Sequence, residues 1–148
     1  MIIKSLNAPK GEIIGKEFWF PIRVYWEDTD AEGIVYFANY LKFAERARTE
    51  SLRYLGCCQR EELKNNNAGF VVKHCEIEYM SPAYLDDELQ CSCSVVSIGG
   101  ASVLLHQEIV RGQDVLAIVD IKAVYLSMDS KKPIKLPKEI VNKLEKIS

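Results

Sequence analysis

Apolar and polar positions alternate from Phe18 to Trp26. Phe18, Phe20, Ile22, Val24 and Trp26 fall on one side, and Trp19, Arg23 and Tyr25 on the other. A period of two over such a run predicts a strand with one strongly apolar face. Near Asn39 the period changes. Tyr40, Phe43 or Ala44, Ala47, Ser51 and Tyr54 or Leu55 recur at helical spacing, with Lys42, Glu45, Arg46, Arg48, Glu50 and Arg53 filling most of the remainder. That is an amphipathic helix, with Asn39 as its expected cap and Gly56 as its expected left-handed stop. QREELKN predicts a second, short helix, and NNNAG a loop.

Beyond residue 69 the pattern is strand-like nearly to residue 128. FVVKHCEIEYMS places Val71, Cys75, Ile77 and Tyr79 on one side, and Pro82 ends it. ELQCSCSVVSIGG aligns Leu89, Cys91, Cys93 and Val95, with Gly99-Gly100 as a hairpin signal. SVLLHQEIVR, the turn RGQD and a long last strand follow; Val115, Ala117, Val119, Ile121, Ala123 and Tyr125 make one apolar face of that strand. KKPIKLP reads as a linker and KEIVNKLEKI as an amphipathic terminal helix. Short turns imply antiparallel pairing, and the long helix must cover a sheet face. Small residues at Ala117 and Ala123 are expected to let it approach. The class is α+β: a curved antiparallel sheet of about five strands around one long central helix, in a single domain over residues 1–148, with its core at about 18–128 and a C-terminal helix at about 137–147.

Composition narrows the function classes. The apolar fraction is 48%, the charged fraction 27% and the net charge −2, which argues against nucleic acid as the main partner. No apolar run approaches the roughly 20 residues that span a bilayer, and the start MIIKSLNAPKGE lacks the long apolar region of a signal peptide. A cytoplasmic protein is expected. Cys57, Cys58, Cys75, Cys91 and Cys93 are an odd count, read as reduced thiols. No metal-ligand spacing joins them to His74 or His106, so no metal site is expected. The histidines read as ordinary sheet residues. Glu45, Arg46, Arg48, Glu50 and Arg53 read as ion pairs along the helix, one or two of them buried.

The chemistry-bearing stretch is RVYWEDTDAEGIVYFANY, which crowds Glu27, Asp28 and Asp30 where a strand gives way to a helix. From the residues alone, Asp30 has two readings. It is an Asx turn or cap, or it is a nucleophile or general base. The second needs donors for a developing oxyanion, and the first amides of the following helix supply them. Gly33 permits a tight turn or close approach by a ligand. Glu27 reads as solvated. Asp28 is either solvated or placed to raise the pKa of Asp30.

Arg23-Val24, then Thr29-Asp30-Ala31-Glu32-Gly33-Ile34-Val35-Tyr36-Phe37-Ala38-Asn39-Tyr40, resembles the signature of the 4-hydroxybenzoyl-CoA thioesterase family. The longer string to Glu50, and FVVKHCEIEYMSPAYLDDEL, resemble the Tol-Pal-associated acyl-CoA thioesterases (YbgC type) within it. The resemblance spans about residues 19 to 140. It implies the hotdog fold and hydrolysis of acyl-CoA thioesters without metal or redox cofactor. It makes Asp30 catalytic and gives the Phe37 backbone amide the carbonyl, with Gly33, Val35, Tyr36 and Tyr40 beside the substrate. It implies a homodimer or homotetramer with the thioester bound between protomers, no nucleic acid and no membrane insertion, and leaves room for a location peripheral to the inner membrane. One departure stands out: many YbgC-type members carry His where this chain has Phe37, and an apolar side chain there is expected to favour apolar acyl groups.

Coenzyme A phosphates call for Lys or Arg, for which Lys73, Arg111 and Lys122 are candidates. Two rival readings are a hotdog dehydratase, which would need a His absent from the matched stretch, and a non-catalytic module that binds acyl-CoA or acyl carrier protein in an envelope-maintenance complex.

Overall fold

A computed structural model describes residues 4–148; the apolar start Met1–Ile3 lies outside the described residues. The elements run β1 (Glu12–Ile14), β2 (Glu17–Arg23), α1 (Asn39–Tyr54), α2 (Gln59–Asn66), β3 (Ala68–Tyr79), β4 (Glu88–Ile98), β5 (Ser102–Arg111), β6 (Asp114–Ser127) and α3 (Lys138–Leu144). The strands form one antiparallel sheet in the order β1-β2-β4-β5-β6-β3. The class is α+β, as expected. The sheet has six strands against the expected five or so. The addition is β1, too short to show a readable alternation. Its turn into β2 carries Gly15 at φ +67, where a tight hairpin needs a positive φ.

Phe18, Phe20, Ile22 and Val24 point into the core as their alternation requires. Trp26 departs from it. β2 stops at Arg23, and Trp26 begins a 3-10 turn with its side chain 83% exposed. β3 also departs from its simple period. A bulge between Val72 and His74 shifts the register, so that Phe70 and Val72 share a face with Cys75, Ile77 and Tyr79 while Val71 turns to the other. One extra residue reverses every side chain beyond it.

α1 lies chiefly over β2 and β4. Phe43, Ala44 and Ala47 are fully buried beneath it. The small residues that permit this approach are therefore on β4 rather than β6. Cys93 Sγ lies 3.6 Å from Ser51 Oγ on the helix. Ala123 instead lines a groove, with Phe70, Val103 and Leu105, between α1, α3 and the β3 edge. Cys57, Cys91 and Cys93 are buried, Cys58 is half-buried and Cys75 exposed, all with free thiols. Burial pushes the thiols of Cys91 and Cys93 up, that of Cys93 to about 11, so both stay protonated at neutral pH.

One buried polar network joins helix to sheet. Gln107, fully buried on β5, donates through Nε2 to Ala44 O (3.0 Å) and Ser92 O (3.2 Å) and accepts from Arg48 Nη1 at 2.9 Å. Arg48 also pairs with Glu45, and Arg53 with Glu50 one turn on. His106 lies on β5 between Asp120 and Glu108, and His74 is exposed beside Glu76. Burial works against charge on His106, but Asp120 and Glu108 outweigh it and raise its pKa. Gln107→Leu should destabilise the chain by about 1–3 kcal/mol, because two carbonyls and a guanidinium lose their partner together. Urea unfolding measures this; an unchanged midpoint would show that the network contributes nothing.

Candidate active site

The segment from Tyr25 to Asn39 is shaped by Asp28. Its carboxylate is buried (4% exposed), and Oδ2 accepts from Tyr25 N–H at 2.8 Å. Its carbonyl accepts twice, from Tyr36 N–H at 2.9 Å and from Asn39 Nδ2 at 2.8 Å. Asp28 is thus a structural carboxylate and not a solvated one. Asn39 is the first residue of α1 and Ala38 the N-cap. The expected capping side chain of Asn39 reaches back to Asp28 instead, because the chain folds over on itself there.

Between these clamps the chain makes a small antiparallel loop. Thr29 bridges to Val35, Asp30 N–H donates to Ile34 O at 2.9 Å, and Gly33 N–H donates to Asp30 O at 3.1 Å. Gly33 has φ +78, a left-handed conformation that favours glycine. Asp30 is exposed at the tip, and Glu32 N–H donates to its Oδ1 at 2.9 Å. The Asx turn is therefore formed, and Oδ2 is left without a protein partner among the described residues. The two readings of Asp30 are compatible: the turn holds one oxygen and aims the other outward. Glu27 is exposed, as expected.

The sequence candidates divide by burial. Tyr36 (47% exposed) and Phe37 (60%) present aromatic rings beside the loop, with centroids 4.8 Å apart. Val35 and Tyr40, each 3% exposed, lie in the core. Val35 N–H donates to Ala83 O at 2.9 Å, and Ala83 N–H donates to the Tyr40 hydroxyl at 3.0 Å. They fix the loop at 81–87 against the helix start. Among the described residues, the N–H groups of Phe37 and Ala38 have no acceptor. They are the open donors of a helix N-terminus.

Of the phosphate candidates, Arg111 is committed to the same loop, donating to Asp87 Oδ2 (2.7 Å) and Pro82 O (3.2 Å). Lys73 and Lys122 line a shallow groove with Ser102, Leu126 and Pro133. No group of three His, Cys, Asp or Glu side chains fit to hold a metal occurs among the described residues. No helix there is long and apolar enough to cross a membrane. Sequence reasoning passed over the contact from the end of β3: the Tyr79 hydroxyl donates to Phe37 O at 2.7 Å. Its partners are 42 residues apart, and no local pattern signals it.

A long helix over an antiparallel sheet, with a carboxylate loop at its open N-terminus, is the hotdog class of fold and site. Residues 24–144 match the model of the thioesterase-like superfamily, and the chain belongs to that family. It is 43% identical to the acyl-CoA thioesterase YbgC of Haemophilus influenzae, over 83% of this chain and 90% of that one. It is 42% identical to the acyl-CoA thioester hydrolase YbgC of Escherichia coli O6:H1, over 84% and 92%. Among solved structures, a probable thioesterase from Bartonella henselae superposes with a TM-score of 0.77 at 34% identity, over 80% of this chain and 98% of that one. A 1,4-dihydroxy-2-naphthoyl-CoA thioesterase from Synechocystis superposes at 0.81 over 86% and 95%, and at 21% identity that likeness concerns the fold alone.

The two aspartates should separate cleanly. Asp28→Ala should cost about 1–3 kcal/mol by leaving the Tyr25 N–H unpaired. Asp30→Asn, at an exposed position whose turn an amide oxygen also closes, should melt with the wild type. Calorimetry of both variants tests this, and equal destabilisation would overturn the division of roles.

Proposed function

We propose that this chain hydrolyses acyl-CoA thioesters to the free acid and coenzyme A. The observation that carries the reading is the pairing, in one clamped segment, of an exposed carboxylate at Asp30 with an acceptor-free N–H at Phe37. The relatives named as acyl-CoA thioesterases support it. The Phe37 N–H donates to the thioester carbonyl oxygen and stabilises the oxyanion that forms there as the carbon becomes tetrahedral. Asp30 either adds to that carbon, giving an anhydride that water then opens, or takes a proton from the attacking water. In both routes the C–S bond breaks and the coenzyme A sulfur leaves to be protonated. No metal or redox cofactor enters. Coenzyme A is the expected carrier and acyl carrier protein the alternative.

The free thiols suit a reducing cytoplasm. A second copy of the chain is the expected partner, as homodimer or homotetramer. β3 ends the sheet, and Val71 and Val72 on it are exposed. An uncovered apolar edge of that kind calls for a partner.

Hydrolysis of a panel of acyl-CoA thioesters tests the proposal, with free thiol measured at endpoint after denaturation, since Cys75 is exposed. Asp30→Asn should lose about 10²-fold or more in kcat, the scale of a lost acid–base group. Phe37→His should keep turnover and shift the chain-length profile. Binding without turnover by the wild type would mark a carrier-binding module instead. Equal rates for wild type and Asp30→Asn would move the chemistry to another residue.

A further inference from the structure

We infer that the Tyr79 hydroxyl is a positioning group for the oxyanion donor, holding the Phe37 peptide in the geometry that leaves its N–H open; this rests on the thioesterase reading above. The first turn of α1 is irregular. Asn39 N–H donates to Tyr36 O at 2.8 Å and Leu41 N–H to Ala38 O at 3.2 Å, both i to i−3 bonds of the tighter 3-10 kind. In a regular helix Leu41 N–H would be the partner of Phe37 O. Here that carbonyl is left out of the ladder, and the Tyr79 hydroxyl takes it at 2.7 Å.

The two peptide planes that meet at the Phe37 Cα are therefore each pinned by one bond. The Tyr36–Phe37 plane, which carries the open N–H, is held through Tyr36 O by Asn39. The Phe37–Ala38 plane is held through Phe37 O by Tyr79. The second bond also polarises the Ala38 N–H, the next open donor along.

Tyr79 is well placed for this. It is the last residue of β3, paired with Ala117, and the bulge at Val72/His74 turns it to the helix side. Its ring stands edge-on to Tyr40 at 5.4 Å and to Phe37 at 6.4 Å. Burial, with Tyr40 and Cys75 nearby, raises its pKa, so it remains a donor at neutral pH. Without the hydroxyl, Phe37 O would be free to fall back onto Leu41 N–H; the Phe37–Ala38 plane with its Ala38 N–H would turn, and the Phe37 N–H, joined to it at the shared Cα, would keep only the Asn39 bond to hold its direction.

Tyr79→Phe removes the hydroxyl and keeps the ring. Wild type, Tyr79→Phe and Asp30→Asn are assayed side by side. Two unreactive coenzyme A analogues are titrated against wild type and Tyr79→Phe: a ketone with methylene in place of the thioester sulfur, and the corresponding thioether with no carbonyl. In Tyr79→Phe, kcat should fall about tenfold and KM should rise as the carbonyl contact weakens, the fall in kcat being less than the 10²–10³ lost when an oxyanion donor itself is deleted. The ketone should bind about tenfold more weakly, the thioether as before, and the thermal midpoint should hold. Wild-type kcat in Tyr79→Phe, or equal weakening of both analogues, would overturn the inference while an inactive Asp30→Asn left the thioesterase reading intact. A wild type that turns over no thioester would overturn both.

Discussion

Asp28 is where the strand and the helix are tied together. Its carbonyl takes one donor from Tyr36, just before α1, and one from Asn39 at the start of α1, and its buried carboxylate takes one from Tyr25, two residues past the end of β2. The loop between these bonds turns outward at its tip, where Asp30 is exposed, and returns to the core at Val35. The N–H groups of Phe37 and Ala38, just before α1, are bare: no side chain caps this helix start, and Asn39 turns its amide NH2 back to the Asp28 carbonyl. A helix start without a cap is normally a defect costing about 1 kcal/mol. On the proposed reading it is the donor set.

The clamp is closed from the other side by the loop at 81–87. Val35, Tyr40, Asp87 and Arg111 all bind its backbone or its neighbours. β2, α1, β3 and the β3–β4 connection converge on one patch although they are scattered along the chain. The bulge in β3 belongs to this convergence. It lets the beginning of the strand present Phe70 and Val72 to the helix side while its end presents Tyr79 to the same side. With an unbroken period of two, one or the other would face away.

What could be read in the sequence follows from this. α1, β4 and β6 were legible because their apolar periods hold over most of each element: Leu89, Cys91, Cys93 and Val95 on β4, and Ala117, Val119, Ile121, Ala123 and Tyr125 on β6, are buried as the pattern names, while a register shift opposite Ile109 and Val110 leaves Val115 half-buried and buries Leu116 in its place. Trp26, Val71 and Asn39 departed from expectation where a local rule was overridden at longer range. A 3-10 turn ended the alternation before Trp26, one extra residue inverted Val71, and a carbonyl eleven positions back claimed Asn39. Asp28 and Asp30 are chemically alike and two residues apart. Only the burial of one and the exposure of the other distinguishes them, and burial is a property of the folded clamp. The Asp30 loop was legible as a candidate because an acidic turn with glycine before a helix is a local pattern. Tyr79 was not, because its bond depends on the sheet register and on the first turn of α1 being tight.

A donor supplied by the main chain separates the chemistry from the side chain that carries it. The backbone around the Phe37 N–H is bonded to Asp28, Asn39 and Tyr79, and none of those bonds involves the Phe37 ring. The ring is mostly exposed and touches Tyr36 and Tyr79 at its edges. Under the proposed mechanism, phenylalanine in place of the histidine that the resemblance leads one to expect alters the surface beside the thioester without altering the oxyanion donor. It removes a titratable, hydrogen-bonding group and adds to an aromatic wall of Tyr36, Phe37 and Tyr79. On the proposed reading, selectivity among acyl groups is carried by that wall and turnover by the backbone behind it, so the first can drift while the second is held.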